Sequence, residues 1–161
     1  MQEIPITHAG LTRFTEELER LKTDGRREMG ERIRQAVSTD ADATANSDYL
    51  AAREEQERLE AKIARLEQRL AAARVMRPRS GGDRVGFGGQ VRVRDVDTGT
   101  AHDYELVGPL ESDPHTGRIS NESPLGRALL GRRCGEIALV DTPRGQFRYE
   151  IVAVGMASAA A

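Results

Sequence analysis

Two different periodicities divide this chain. From about His8 to Val37, apolar side chains recur at Leu11, Phe14, Leu18 and Leu21, a three-four-three spacing that lines them along one helical face as a coiled-coil seam. Past Gly25 the frame shifts, and Met29, Ile33 and Val37 continue the stripe at spacings of four, as a stutter in a seven-residue repeat would. From about Asp48 to Arg74 the pattern returns, with Ala52, Gln56, Leu59, Ile63, Leu66, Leu70 and Ala73 alternating four and three apart. The connection from Ser38 to Ser47 is short and polar, so the two stripes are predicted to face each other in an antiparallel hairpin. At a rise of about 1.5 Å per residue each arm is roughly 40–45 Å long.

The helical pattern stops in Arg77–Arg84, where a proline and paired glycines mark a linker. Beyond it the period falls to two. Gln90–Val96 and His102–Val107 alternate apolar and polar residues around the turn Asp97–Thr100, which predicts a β-hairpin. Glu136–Val140 and Gln146–Val154 flank Thr142–Gly145 and predict a second. Between the hairpins, Ser123–Gly131 has serine at a helix N-cap, proline at the first helical position and glycine past the end, so one short helix is predicted to pack on the sheet. The expected fold class is α+β, with an antiparallel coiled-coil hairpin at 1–76, a linker at 77–84, a β-rich domain at 85–156 and a frayed tail at 157–161.

Composition narrows the function classes. Charged residues make up 31% of the chain and aromatics 4%, with no tryptophan, which favours an elongated helical part over one large core. A net charge of -2 argues against a protein that grips duplex DNA by neutralising phosphates, and a protein partner fits better. One cysteine, Cys134, cannot form an intrachain disulfide and reads as a small buried thiol. No apolar run approaches the roughly 18 residues of a membrane span and no signal-peptide pattern opens the chain, so a cytoplasmic monomer is expected. His8, His102 and His115 lack metal-site spacing and read as surface or turn residues. Gly86–Gly89 precedes a strand rather than a helix, which makes it a turn and not a phosphate loop.

Two segments carry a resemblance that periodicity cannot supply. Ile4-Pro5-Ile6-Thr7 ahead of the first helix and Asn46–Gln56, with its Asn-x-x-Tyr-x-x-Ala-Arg-Glu run, resemble the N-terminal signature of the bacterial Gre-factor family. Ile119–Gly131 is similar to that family's Ile-Ser-x-x-Ser-Pro-x-x-x-x-Leu-x-Gly segment. The resemblance spans nearly the whole chain. It implies an FKBP-like second domain, with RNA polymerase as the partner. It also implies a hairpin that enters the polymerase secondary channel, with indirect contact to the nascent RNA, and no enzyme activity or cofactor of the chain's own. Asp40, Asp42, Ala45, Asn46, Asp48 and Arg53 would lie at or near the hairpin end, and Ser120, Ser123, Pro124, Leu125 and Arg127 would meet the channel rim. Cleavage factors of the family carry an Asp and, three residues later, a Glu that help bind a shared Mg²⁺ in the polymerase active site.

Aligned on Asn46, the family's Gly-Asp-x-x-Glu-Asn falls on Ala41–Asn46. The aspartate is present as Asp42, the one candidate metal ligand, and the glutamate is replaced by Ala45. The expectation is therefore a regulator that occupies the channel and inhibits without stimulating cleavage. The alternative is an authentic cleavage factor in which Asp40 assists Asp42. Read without the resemblance, Asp40 and Asp42 are solvated loop residues and Arg53 a surface partner of Glu57. Two further classes compete: a prolyl isomerase, which needs an apolar pocket among Phe87, Tyr104, Phe147 and Tyr149, and a generic coiled-coil adaptor, which leaves the Ser-Pro helix unexplained.

Overall fold

A computed structural model describes residues 2–38, 47–77 and 82–156. The chain forms two compact units, one of Thr12–Ala72 and one in which Met1–Leu11 joins Ala73–Ala161. The sequence expectation had given all of 1–76 to the hairpin. The difference arises from two short parallel strands, β1 (Ile4–Ile6) and β2 (Ala73–Val75), which pair Ile4 with Ala73 and Ile6 with Val75. Ile6 is fully buried. Ala73, expected to finish the second helical stripe, is instead the first residue of β2.

The first arm runs through α1 (His8–Arg20), a π-helical turn (Leu21–Gly25) and α2 (Arg26–Ser38), and the second is α3 (Ser47–Ala71). Leu18, Ala52 and Ile63 are buried, while Phe14, Leu21, Met29, Ile33, Leu59, Leu66 and Leu70 are half-buried, as two helices alone can cover only one face of each other. One seam position differs from expectation. Val37 is 43% exposed and its neighbour Ala36 is 9% exposed, so the stripe ends on the smaller residue. Ion pairs run beside the seam. Arg26 donates twice to Glu60, at 2.9 and 2.8 Å, and Lys62 meets Glu17 at 2.9 Å, while Lys22 pairs with Glu67 and Arg32 with Glu55. The Arg26 guanidinium holds the Glu60 carboxyl below its ordinary range. Such exposed pairs add little stability, but their opposite signs specify which residues of the two arms lie side by side.

The other unit is built on a mixed sheet of five strands, β3 (Gly89–Asp95), β4 (Ala101–Val107), β5 (Arg118–Ser120), β6 (Ile137–Thr142) and β7 (Gly145–Met156), in the order β5-β4-β3-β7-β6. Only β4 and β5 pair in parallel, and a bulge interrupts β3 against β7 at Arg92/Val93. Alternation in β3 sends Val91 and Val93 into the core with Leu106, Ile119, Ala138 and Ile151. Its other face carries charge. Arg92 bonds Asp103 directly across the ladder at 2.7 and 3.0 Å, Arg94 pairs with Glu150, and Arg148 reaches Asp97 at 2.6 Å. The helix α4 (Pro124–Leu129) covers the core side through Leu129, which is fully buried.

Turns form where the sequence placed them. The Asp95 carboxylate accepts from the backbone N–H groups of Asp97 and Thr98, at 2.8 and 3.1 Å, which closes the first hairpin and depresses the Asp95 pKa. Gly88, at φ 74°, turns the chain into β3. Cys134 is a correction: it is exposed, and its thiol donates to the Val152 carbonyl at 3.0 Å. The irregular loop before β6 leaves it at the surface.

A buried carboxylate ties the chain's beginning to the β-rich unit. Glu111 accepts from the N–H groups of Thr7 at 2.9 Å and Gly108 at 3.2 Å, and from the Thr7 hydroxyl. That hydroxyl also accepts from Gly10 N–H at 3.0 Å, which makes Thr7 the cap of α1. The strand β1 lies against Gly108, where a Cβ would sit 1.8 Å from the Pro5 carbonyl oxygen. Gly108→Ala is accordingly expected to destabilise this unit by about 1–3 kcal/mol, because two backbone segments must move apart. Urea unfolding followed by circular dichroism measures it, and an unchanged midpoint would show that β1 does not need this close approach.

Candidate functional site

Residues singled out from the sequence fall in two places, one in each unit. Asp40, Asp42, Ala45 and Asn46 lie outside the described residues. Asp48 and Arg53 are described on α3, which begins at Ser47. Asp48 stands in the first turn, where the exposed N–H groups and the helix dipole favour a carboxylate. Arg53 is exposed, and its guanidinium donates to the Gln56 side chain at 2.8 Å rather than pairing with Glu57. Among the described residues, no group of three or more His, Cys, Asp and Glu side chains is placed to hold a metal ion. None of the described helices is long and apolar enough to cross a membrane.

The second set is contiguous. β5 ends at Ser120, and the chain turns through Asn121 and Glu122 into α4. Ser123 adopts an extended backbone, its hydroxyl donates to the Ser120 carbonyl at 2.7 Å, and its oxygen accepts from Gly126 N–H at 3.0 Å. Ser120 in turn accepts from Glu122 N–H at 3.1 Å. Proline follows at the first helical position, where its fixed φ suits the helix and no N–H is lost. Gly126 lets α4 lie directly on this turn, since a Cβ there would stand 2.0 Å from the Ser120 carbonyl oxygen. The result is a rigid corner that holds Leu125 half-buried and Arg127 exposed.

Leu125 forms one wall of an open groove of about 420 Å³, completed by Val140, Thr142, Pro143, Arg144, Phe147 and Tyr149 of the β6–β7 hairpin. Burial pushes the Tyr149 hydroxyl pKa up. The groove is mainly apolar, open to solvent and lined in part by a cation, a combination suited to an apolar partner segment with negative charge beside it. Three of the four aromatics considered for an isomerase pocket line two different depressions. Phe147 and Tyr149 line this groove, whereas Tyr104 lies in a separate depression, stacked on His102 with ring centroids 5.8 Å apart.

Comparison with known proteins gives both halves the same affiliation. A family described as "Transcription elongation factor, N-terminal" matches residues 4–75, and one described as "Transcription elongation factor, GreA/GreB, C-term" matches residues 79–156. The chain belongs to the Gre-factor family. A relative called transcription elongation factor GreA, from Nitratidesulfovibrio vulgaris, is 43% identical over 160 residues, covering 99% of each chain. Another of that name from Thermotoga neapolitana is 38% identical, covering 96% of this chain and 98% of its own. Among solved structures, GreA factor homolog 1 of Thermus thermophilus matches at 32% identity, covering 95% of this chain and 99% of its own, with a TM-score of 0.42.

Within this Gre-family chain, sequence reasoning found the Ser-Pro corner but not the wall opposite it. Val140, Pro143 and Arg144 carry no motif, and only the return of β6 and β7 beside α4 brings them to Leu125. Phe147 and Tyr149 were legible as inward positions of an alternating strand, without their destination. Ser123→Ala is expected to cost about 1 kcal/mol of stability, because it removes the N-cap of α4 while leaving Leu125 in place. A melting curve checks this, and a loss below a few tenths of a kcal/mol would show that Pro124 alone starts the helix.

Proposed function

We propose that this Gre-family chain acts on bacterial RNA polymerase as an elongation factor for backtracked complexes. In this reading the hairpin end reaches the secondary channel and the groove beside α4 holds the channel rim. The observation that carries it is the pairing, in one chain, of a capped Ser-Pro corner and apolar groove with two facing helices whose connecting sequence contains Asp42. Relatives named GreA that align along almost the entire chain support an elongation role.

Chemistry at the arm's end bears on strength. A hard divalent cation takes carboxylate oxygens, and a pair of them orients it and the water it activates. Asp42 provides one such group and Ala45 none, so the donor set of this chain does not fit a two-carboxylate magnesium site. If the missing group is worth about 3 kcal/mol in the transition state, stimulation falls on the order of a hundredfold. That departure at Ala45 also favours a second reading, in which the arm obstructs the channel and slows RNA synthesis without cleavage.

One assay separates the two readings: purified polymerase is stalled and backtracked, and release of 3′-end RNA fragments is followed against inhibition of nucleotide addition. Ala45→Glu restores the Asp-x-x-Glu spacing with Asp42 and is expected to raise cleavage by about a hundredfold at little cost in stability. Removing the carboxylate again with Asp42→Ala on that background should abolish the gain. An Ala45→Glu variant that binds polymerase and cleaves no faster would place the difference elsewhere in the loop.

The docking half is tested apart from the tip. Arg127 is exposed at the corner, so Arg127→Glu should lower polymerase affinity by about tenfold through lost charge complementarity, with an unchanged melting temperature. Competition binding against the unaltered chain reads this out. Equal affinity would remove the α4 corner from the interface.

A further inference from the structure

The arms differ in one respect that the ion pairs and seam do not explain. In the first arm, inward positions follow a seven-residue repeat through Leu11, Phe14, Leu18, Leu21 and Gly25, the last facing Leu59 so closely that a Cβ would stand 3.3 Å from it. Continued strictly, the repeat would next select Glu28, Arg32 and Gln35, and all three are exposed. The residues that turn inward are Met29, Ile33 and Ala36, each one position later. The first arm therefore contains one residue more than its repeat accommodates. The facing helix α3 has no such surplus and is uninterrupted from Ser47 to Ala71.

The surplus coincides with the π-helical turn. Arg26 N–H donates to the Leu21 carbonyl, five residues back instead of four, and also to the Thr23 carbonyl, three back, and the five-residue bond gives this turn one residue more than an α-turn. Four of the five residues in it are otherwise engaged or close to the seam. Leu21 lies in it, Lys22 pairs with Glu67, Asp24 pairs with Arg27 and Gly25 faces Leu59. Thr23 is exposed, and its side chain bonds only along its own helix, to the Glu19 carbonyl at 2.8 Å and the Arg20 carbonyl at 3.5 Å.

We propose that this π-turn is a phase-correcting joint: it stores one residue, keeps Met29, Ile33 and Ala36 on the α3 side, and so fixes the direction in which the chain leaves α2. Thr23 is the stored residue. Its removal lets the turn close as an ordinary α-turn with every downstream layer still facing α3. Removal of a residue beyond the joint has no such remedy. Without Arg34, either the last turn of α2 rotates by roughly 100° or the healed helix turns Met29 and Ile33 out of the seam. The wider turn also lacks the regular α-helical bonding of its flanks, so it is the place where the arm opens most readily.

The consequence for polymerase rests on the proposed function, whereas the joint itself is tested without polymerase. Three full-length chains are compared: unaltered, lacking Thr23 and lacking Arg34. Deletion of Thr23 is expected to leave helicity and melting temperature equal or higher, and to slow hydrogen exchange of the amides around 22–26 by about tenfold or more. Deletion of Arg34 is expected to lower the melting temperature of the arm. In polymerase assays the Thr23 deletion should act like the unaltered chain, and the Arg34 deletion should lose about tenfold or more of its effect. A Thr23 deletion that melts earlier than the unaltered chain, or exchanges no more slowly at 22–26, overturns the joint. If the unaltered chain has no effect on polymerase, the proposed function fails while the melting and exchange results still decide the joint.

Discussion

The structure depends on the chain returning to its own beginning. A hairpin of two helices brings its ends back to the same place, and here Ala73–Val75 is laid in parallel against Ile4–Ile6, with Ile6 removed entirely from solvent. Parallel pairing needs a long crossover, and the two arms are that crossover. Glu111 then fastens the same segment from the other side through Thr7 and Gly108. A buried carboxylate left without these donors would carry a large desolvation penalty, so each partner is required by the others. Gly10 and Gly108 are small because the Glu111 side chain and the Pro5 backbone occupy the space a methyl group would take.

The two units are held together internally by different means. In the β-rich unit, alternation buries valine, isoleucine and leucine from four strands and α4 in one cluster, and charge pairs cover the opposite face of the sheet. In the arm, most seam residues stay half-exposed because two helices cover only one face of each other. Specificity of register matters more there than depth of burial. Opposite charges at Lys22 and Glu67, Arg26 and Glu60, and Arg32 and Glu55 penalise a slipped pairing even though each pair is exposed. The π-turn belongs to the same economy, since a surplus residue in a thin arm would otherwise turn whole layers toward water.

At the corner of β5 and α4, the residues that shape the turn and the residue that lines the groove are distinct. Ser120, Ser123 and Gly126 use their polar groups and small size on one another, which fixes the angle at which α4 leaves the strand. Leu125 and Arg127 are thereby presented outward and beside the β6–β7 hairpin. The two serines of that motif are hydrogen-bonded within the corner itself. Leu125 meets the groove, and the serines hold it there.

Much of this was determined by the sequence alone. Period 3.5 in one half and period two in the other, with a Pro/Gly break between them, specify an α+β chain with a helical hairpin. Ser123-Pro124 is a helix start in any context because the cap is a local bond, and Asp95 and Gly99 close their turn for the same reason. Motif spacing identified the family. Tertiary structure decided what depends on residues far apart in the chain. β1 is three residues long and has no periodicity of its own, so only its pairing with β2 makes it a strand. Val37 gives way to Ala36 because the inward step after Ile33 is three residues rather than four, and only the facing helix decides which of the two steps is taken. The exposure of Cys134 was not legible because the loop around it has no repeating pattern from which burial could be read. The groove exists only because β6 and β7 return beside α4, a meeting that local patterns do not encode.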